Sequence, residues 1–296
     1  TFRLIGGPTR TLKFGPVPFA PRRLYQTGDF MAEICVVQFC DNDPPDAADP
    51  DADLLLNDTN TIIFRAEDNT NNVVTKTVTF THSDTASWPQ TFTADWSSVG
   101  GNIQNAAQVV DGHWEINNNA LRPVSGALGY DRLVAIGDMD TWTDYEVTVP
   151  VTIHALENDP GIYNFPSFGP GLGLILRWQG HFLDENNPSN QPPRWGWQRL
   201  GAFALYNWET STTGGLQMIG YSVDGPGGGN EIATNPNVQP QFGVEYMMKM
   251  AVESLPNNTD QYQFKMWPAS DPEPVDWDMT GIVTQEEAPD AGSLLL

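Results

Sequence analysis

From Asp144 to Ala155 the chain alternates between two kinds of side chain. Tyr145, Val147, Val149, Val151, Ile153 and Ala155 stand on one side, and Asp144, Glu146, Thr148, Pro150, Thr152 and His154 on the other. Successive residues of a strand face opposite sides of a sheet, whereas a helix repeats its apolar residues every third or fourth position. The run therefore predicts a strand with one buried face. A sheet of that kind must cover its apolar face with a second layer. Pro150 lacks the N–H of a ladder donor, and on the outward set it marks an edge or a bulge.

The same period recurs. Leu172, Leu174, Leu176 and Trp178 form one set, and Tyr246, Met248, Met250 and Val252 another. Tyr262, Phe264 and Met266 come after a turn at Pro256–Thr259. Weaker strand signals cover 91–96, 113–116, 131–137, 199–208 and 216–223. No helical periodicity persists for three turns. The 27 glycines and 24 prolines, with many Asn, Asp and Thr, supply turns for short strands. Hydrophobic residues make up 40% of 296, enough for a large core. The class predicted is all-β, with sandwich layers.

Upstream, residues 1–53 are irregular, with an Arg/Pro-rich opening and an aspartate tract at 41–53. In the stretch 54–82, Ile62, Phe64 and Ala66 alternate with Ile63, Arg65 and Glu67. Val74, Val78 and Phe80 alternate with threonines. The cluster Asp68–Asn72 between them is turn chemistry, and the whole reads as a hairpin. Ser83 to Pro89 reads as a linker.

The chain carries two resemblances. The stretch Asn60–Phe80 resembles the closing hairpin of bacterial immunoglobulin-like repeats, which serve as spacers and adhesion stalks. From residue 90 the landmarks are Phe92–Trp96, Val110–Glu115, Trp142–Val147, Gly171–Trp178, Glu245–Tyr246 and Gln263–Trp267. Their order resembles the concanavalin A-like lectin/glucanase superfamily in its laminin-G-like branch. The resemblances imply an immunoglobulin-like β-sandwich over 1–82, a linker at 83–89, and a concanavalin A-like antiparallel jelly-roll sandwich over 90–296. The concave face of such a jelly roll often binds glycans. Its first and last strands usually lie side by side, and Gly292–Leu296 reads as the start of that last strand.

Net charge narrows the partners. Acidic residues number 37 against 14 basic ones, a formal charge of -23. Nucleic-acid affinity comes from neutralising phosphates, so this sign argues against it. Anionic membrane surfaces are disfavoured likewise. No run reaches the length of an apolar membrane span. An acidic surface suits a salty or calcium-rich exterior, and extracellular or cell-surface placement is expected. The opening at Thr1 and the closing run Leu294–Leu296 read as a segment of a longer precursor. Cys35 and Cys40 are either bridged across a turn or free and buried. The sequons at Asn57 and Asn257 are candidate glycosylation sites.

Catalysis has weak support in the sequence. The resemblance implies a Glu-x-Asp-x-(x)-Glu strand in hydrolases of the superfamily, and none is present. Asp138 and Asp140, then Asp144 and Glu146, come nearest to a carboxylate pair. A lyase needs a Tyr or His base beside Arg or Gln, and Arg177, His181, Arg194, Arg199 and Tyr206 are near one another in sequence. Arg177 is out of phase with Leu176 and Trp178, which predicts that it leaves the core face. Gly225–Gly229 precedes neither a lysine nor a helix, so it reads as a loop rather than a phosphate cradle.

Binding has better candidates. Calcium takes several oxygen ligands from carboxylates and carbonyls. Asp41, Asp43, Asp49, Asp51 and Asp53 offer them in a Pro-stiffened loop, with Asp138, Asp140 and Asp144 as a second set. Sugars stack on aromatic rings beside polar side chains. Arg194, Trp195, Trp197 and Arg199 combine both features, and Tyr206 and Trp208 come next in phase on the following strand. With Arg177 they form the candidate carbohydrate site; a tryptophan cluster sealing the sandwich edge is the competing account. Trp114, Trp142 and Trp178 read as core.

The expectation is a non-catalytic extracellular module for glycan binding and adhesion, or for structural assembly with neighbouring surface subunits. Calcium is its only expected cofactor. The alternatives are a polysaccharide hydrolase or lyase using the concave face, and a self-assembling filament or surface-layer subunit, a homo-oligomer or fibre.

Overall fold

The computed structural model describes residues 2–4, 13–14, 30–31, 56–83, 88–124, 132–156, 170–180, 200–210, 212–220, 230–284 and 288–296. Eighteen strands run through them, and no α-helix is present among the described residues. In chain order they are β1 (Phe2–Leu4), β2 (Lys13–Phe14), β3 (Phe30–Met31), β4 (Thr59–Glu67), β5 (Val73–Thr81) and β6 (Gln108–Asp111). Then come β7 (Trp114–Asn117), β8 (Ala120–Pro123), β9 (Leu133–Ile136), β10 (Tyr145–Thr152), β11 (Gly171–Trp178) and β12 (Ala202–Trp208). The last are β13 (Gly214–Gly220), β14 (Asn230–Asn235), β15 (Glu245–Leu255), β16 (Thr259–Pro268), β17 (Met279–Thr284) and β18 (Ser293–Leu295).

The expected N-terminal hairpin is present. β4 and β5 pair from Thr59↔Thr81 to Glu67↔Val73, and β1 adds to the far side of β4. Asp68 builds the turn. Its Oδ1 accepts from the N–H groups of Thr70 (2.8 Å) and Asn72 (2.9 Å) and from the Thr70 hydroxyl (2.7 Å). Asn71 takes the left-handed conformation at φ 63°, which Asn tolerates.

Beyond residue 90 two antiparallel sheets face one another. One has four strands in the order β10-β15-β16-β17, and the other seven in the order β14-β13-β12-β11-β18-β9-β6. Between them lie Leu174, Leu176, Ala204, Tyr206 and Met218 from the larger sheet and Met248, Met250, Tyr262 and Phe264 from the smaller. The period-two reading thus located the inner faces of β10, β15 and β16. Among the described residues β10 is an edge strand, the place in a sheet where a proline such as Pro150 is tolerated. The segment 91–96, read as a weak strand, is not one.

Two expectations need correction. Trp178 does not share a face with Leu174 and Leu176. It packs with Ile175, Phe203 and Leu295 on the opposite side of the larger sheet. The register of β11 against β18 shifts between Ile175 and Trp178, and Arg177 there has φ 55°. An extra residue in one strand inverts the phase of every residue after it. The last strand, β18, also does not lie beside the first strand of its sheet. It lies between β9 and β11, with Leu295 opposite both Ala135 and Ile175.

Candidate functional site

The bulge in β11 decides where Arg177 goes. The sequence phase sends it away from the core, yet its side chain is 0% exposed, so that expectation is corrected. The left-handed residue turns the guanidinium into the space between the sheets. There each of its N–H groups has an acceptor. Nε donates to Thr143 O (3.0 Å), and Nη1 to Asp260 Oδ2 (2.7 Å) and Pro289 O (3.3 Å). Nη2 donates to Ser254 Oγ (2.8 Å) and Asp144 Oδ1 (3.3 Å).

Asp260 stands on β16 in phase with Tyr262 and Phe264, and like Arg177 it is fully enclosed. Two enclosed opposite charges are tolerated only when each is fully hydrogen-bonded, because desolvation otherwise outweighs their attraction. Asp144 closes the rim, about half exposed. It accepts from both the N–H and the hydroxyl of Ser254, each at 2.8 Å. Burial pushes its carboxyl upward, but those Ser254 bonds and the Arg177 charge outweigh it and hold it below the usual carboxylate range.

Tyr145 completes the cluster from β10. Its hydroxyl accepts the Arg177 backbone N–H (2.8 Å) and faces Gly292 O (3.0 Å) and Ser293 O (3.2 Å). Burial raises the phenol far above its ordinary value, and that of Tyr262 likewise, so both stay protonated. Around them Gly292 N–H donates to Trp142 O, and the Gln179 amide to Ala291 O, each at 3.0 Å. The segment leading into β18 is thus held through its backbone by side chains of β10 and β11.

The remaining sequence candidates divide. Tyr206 and Trp208 are 2% and 4% exposed and meet edge-to-face at 4.7 Å, inside the sandwich. The Tyr206 hydroxyl donates to Gln239 Oε1 (2.8 Å), whose amide nitrogen donates to Gly214 O (2.6 Å). Neither ring is presented for stacking on a sugar. Asp138 Oδ1 caps its own turn, accepting the N–H groups of Asp140 (2.9 Å) and Thr141 (3.0 Å). Asp138, Asp140 and Asp144 are not drawn together, and no group of three or more His, Cys, Asp or Glu side chains placed to hold a metal ion forms among the described residues. Asn57 and Asn257 are exposed. Arg194, Trp195, Trp197, Arg199, Asp41, Asp43, Asp49, Asp51, Asp53, Cys35 and Cys40 lie outside the described residues, as does His181.

A second charged cluster sits on the outer face of the smaller sheet and escaped the sequence reading. Lys265 is 4% exposed, with Nζ on Pro274 O (2.7 Å) and Glu273 Oε1 (2.8 Å). The rings of Trp277 and Trp267 lie 4.7 and 5.6 Å from that ammonium. Lys249 joins from β15, 3.2 Å from Glu273 and 3.1 Å from Glu146. Bonds from Lys265 and Lys249 lower the Glu273 carboxyl below its ordinary value. Together these contacts bind the connection 269–278 onto the sheet.

One signal for the buried pair was available in the sequence. Asp260 comes one place before Tyr262, Phe264 and Met266 in the same phase, and a carboxylate enclosed there needs hydrogen-bond donors or a cation. No family model matches the chain, and no curated protein matches it.

Proposed function

We propose that the chain is a non-catalytic module of an extracellular surface and works by structural assembly with neighbouring subunits. On this reading the part beyond residue 90 is a laminin-G-like jelly roll, preceded by an immunoglobulin-like stalk. The observation that carries the proposal is the state of Arg177. A guanidinium that serves a substrate keeps donors directed at a cleft, whereas here each N–H is already bonded within the chain. Asp144, a candidate for calcium and for carboxylate catalysis, is engaged by the same group. Tyr206 and Trp208, candidates for sugar stacking, are packed between the sheets. The polar chemistry of the sandwich joins its layers, which suits a rigid load-transmitting body. The charge of -23 favours an exterior in which cations screen self-repulsion.

The experiment is light scattering of the full chain over a wide concentration range, with and without calcium. A glycan array and assays for released reducing ends and unsaturated uronates run alongside. Concentration-dependent association without turnover is expected. Turnover of any polysaccharide, or a strictly monomeric chain, overturns the proposal.

A further inference from the structure

We propose that β5 is a self-docking edge, which pairs antiparallel with β5 of a second copy about a two-fold axis at Thr77. This names the contact by which the assembly reading operates, and it rests on that reading.

β5 ends its sheet in the order β1-β4-β5, and nothing among the described residues pairs with its outer side. All of its residues but Phe80 are exposed. Val74 is 69% exposed, Val73 47% and Val78 38%. Edge strands of folded proteins are ordinarily blunted by charge, proline, a bulge or short length. β5 is nine residues long and pairs with β4 in unbroken register. Its sequence, VVTKTVTFT, contains no proline and a single charge, Lys76.

The direction of its backbone groups is set by the hairpin's ends. His82 N–H donates to Asp58 O (2.9 Å), and Asp68 N–H to Asn72 O (3.1 Å). Bonded and non-bonded pairs alternate along an antiparallel ladder. The even-numbered residues of β5 therefore bond to β4. Val73, Thr75, Thr77, Thr79 and Thr81 aim N–H and C=O at the open side.

That parity permits a two-fold on Thr77, where both backbone groups point outward. Thr77 then faces Thr77 of the second copy, Thr75 faces Thr79, and Val73 faces Thr81. On the other face Val74 meets Phe80, and Lys76 meets Val78. Threonine pairs and apolar pairs are favourable cross-strand neighbours, and no like charges stand opposite each other. An isologous contact of this kind closes a pair. Two copies carrying -23 each repel, so they meet most readily on a strip without acid, and β5 is one.

The test uses the full chain with Cys35 and Cys40 changed to Ser. Under oxidation Thr77→Cys forms a disulfide-linked pair of chains. Thr75→Cys alone forms none, because it faces Thr79, while a mixture of Thr75→Cys and Thr79→Cys chains cross-links. Thr77→Pro removes an outward donor and raises the association midpoint by roughly tenfold or more, with circular dichroism confirming the sandwich. If the chain assembles while Thr77→Cys stays unlinked, this inference is overturned and the assembly reading stands. A chain that remains monomeric throughout overturns both.

Discussion

The guanidinium of Arg177 on β11 meets the carboxylate of Asp260 on β16 at 2.7 Å, with neither side chain reaching solvent. The pair spans the two sheets. Removing Asp260 takes the nearer counterion from the enclosed guanidinium and leaves it the half-exposed Asp144 at 3.3 Å. Asp260→Ala is expected to cost about 3–5 kcal/mol, whereas the double change Arg177→Met, Asp260→Leu costs far less because no charge is left inside. Urea denaturation of the three proteins checks the difference. Equal losses in single and double variants would show that packing, rather than charge, sets the cost.

Tyr145 links that pair to β18. Tyr145→Phe deprives the Arg177 N–H of its acceptor and removes the donor shared by Gly292 O and Ser293 O. A buried group left unsatisfied costs about 1–3 kcal/mol. The loss should concentrate at β18, so amide exchange at Leu294 and Leu295 accelerates more than at Met250 on the opposite sheet. Uniform acceleration would place the effect elsewhere.

Gly292 passes so close to β11 that a Cβ there would overlap the Arg177 backbone itself. Backbone cannot move aside as a side-chain end can. Gly292→Ala is expected to destabilise by about 1–3 kcal/mol or more through overpacking. Gly243→Ala is the informative control, since its Cβ would meet nothing and only its φ of 76° opposes the change. A Gly292→Ala protein as stable as the parent would contradict the tight passage.

Period-two alternation and turn chemistry made the inner faces of β10, β15 and β16 and the hairpin at Asp68 legible in the sequence. Arg177 was not, because a bulge inverts phase and nothing in Leu176-Arg177-Trp178 announces one. Tyr206 and Trp208 read equally as stacking platform or core, since an aromatic ring serves both. Which face of β12 the opposing sheet covers is a long-range fact that no local pattern contains. The Lys265 cluster was hidden for the same reason: Glu273 and Trp277 reach it only after the chain reverses beyond β16.

That last cluster carries a pH dependence. Glu273 is held below its ordinary pKa by bonds from Lys265 and then Lys249. A carboxylate depressed on folding adds stability at pH values above its unfolded pKa, and the contribution is lost as pH falls through the folded value. Glu273→Gln should therefore destabilise the chain at neutral pH. The gap between variant and parent should close on acidification below the folded pKa. Because Glu273 is about half exposed, added salt should narrow the gap as well. Denaturant midpoints of both proteins across pH, at low and high salt, measure this. A gap unchanged by acid and by salt would assign the cost of the substitution to the packing of residues 269–278 instead of to the charge on Glu273.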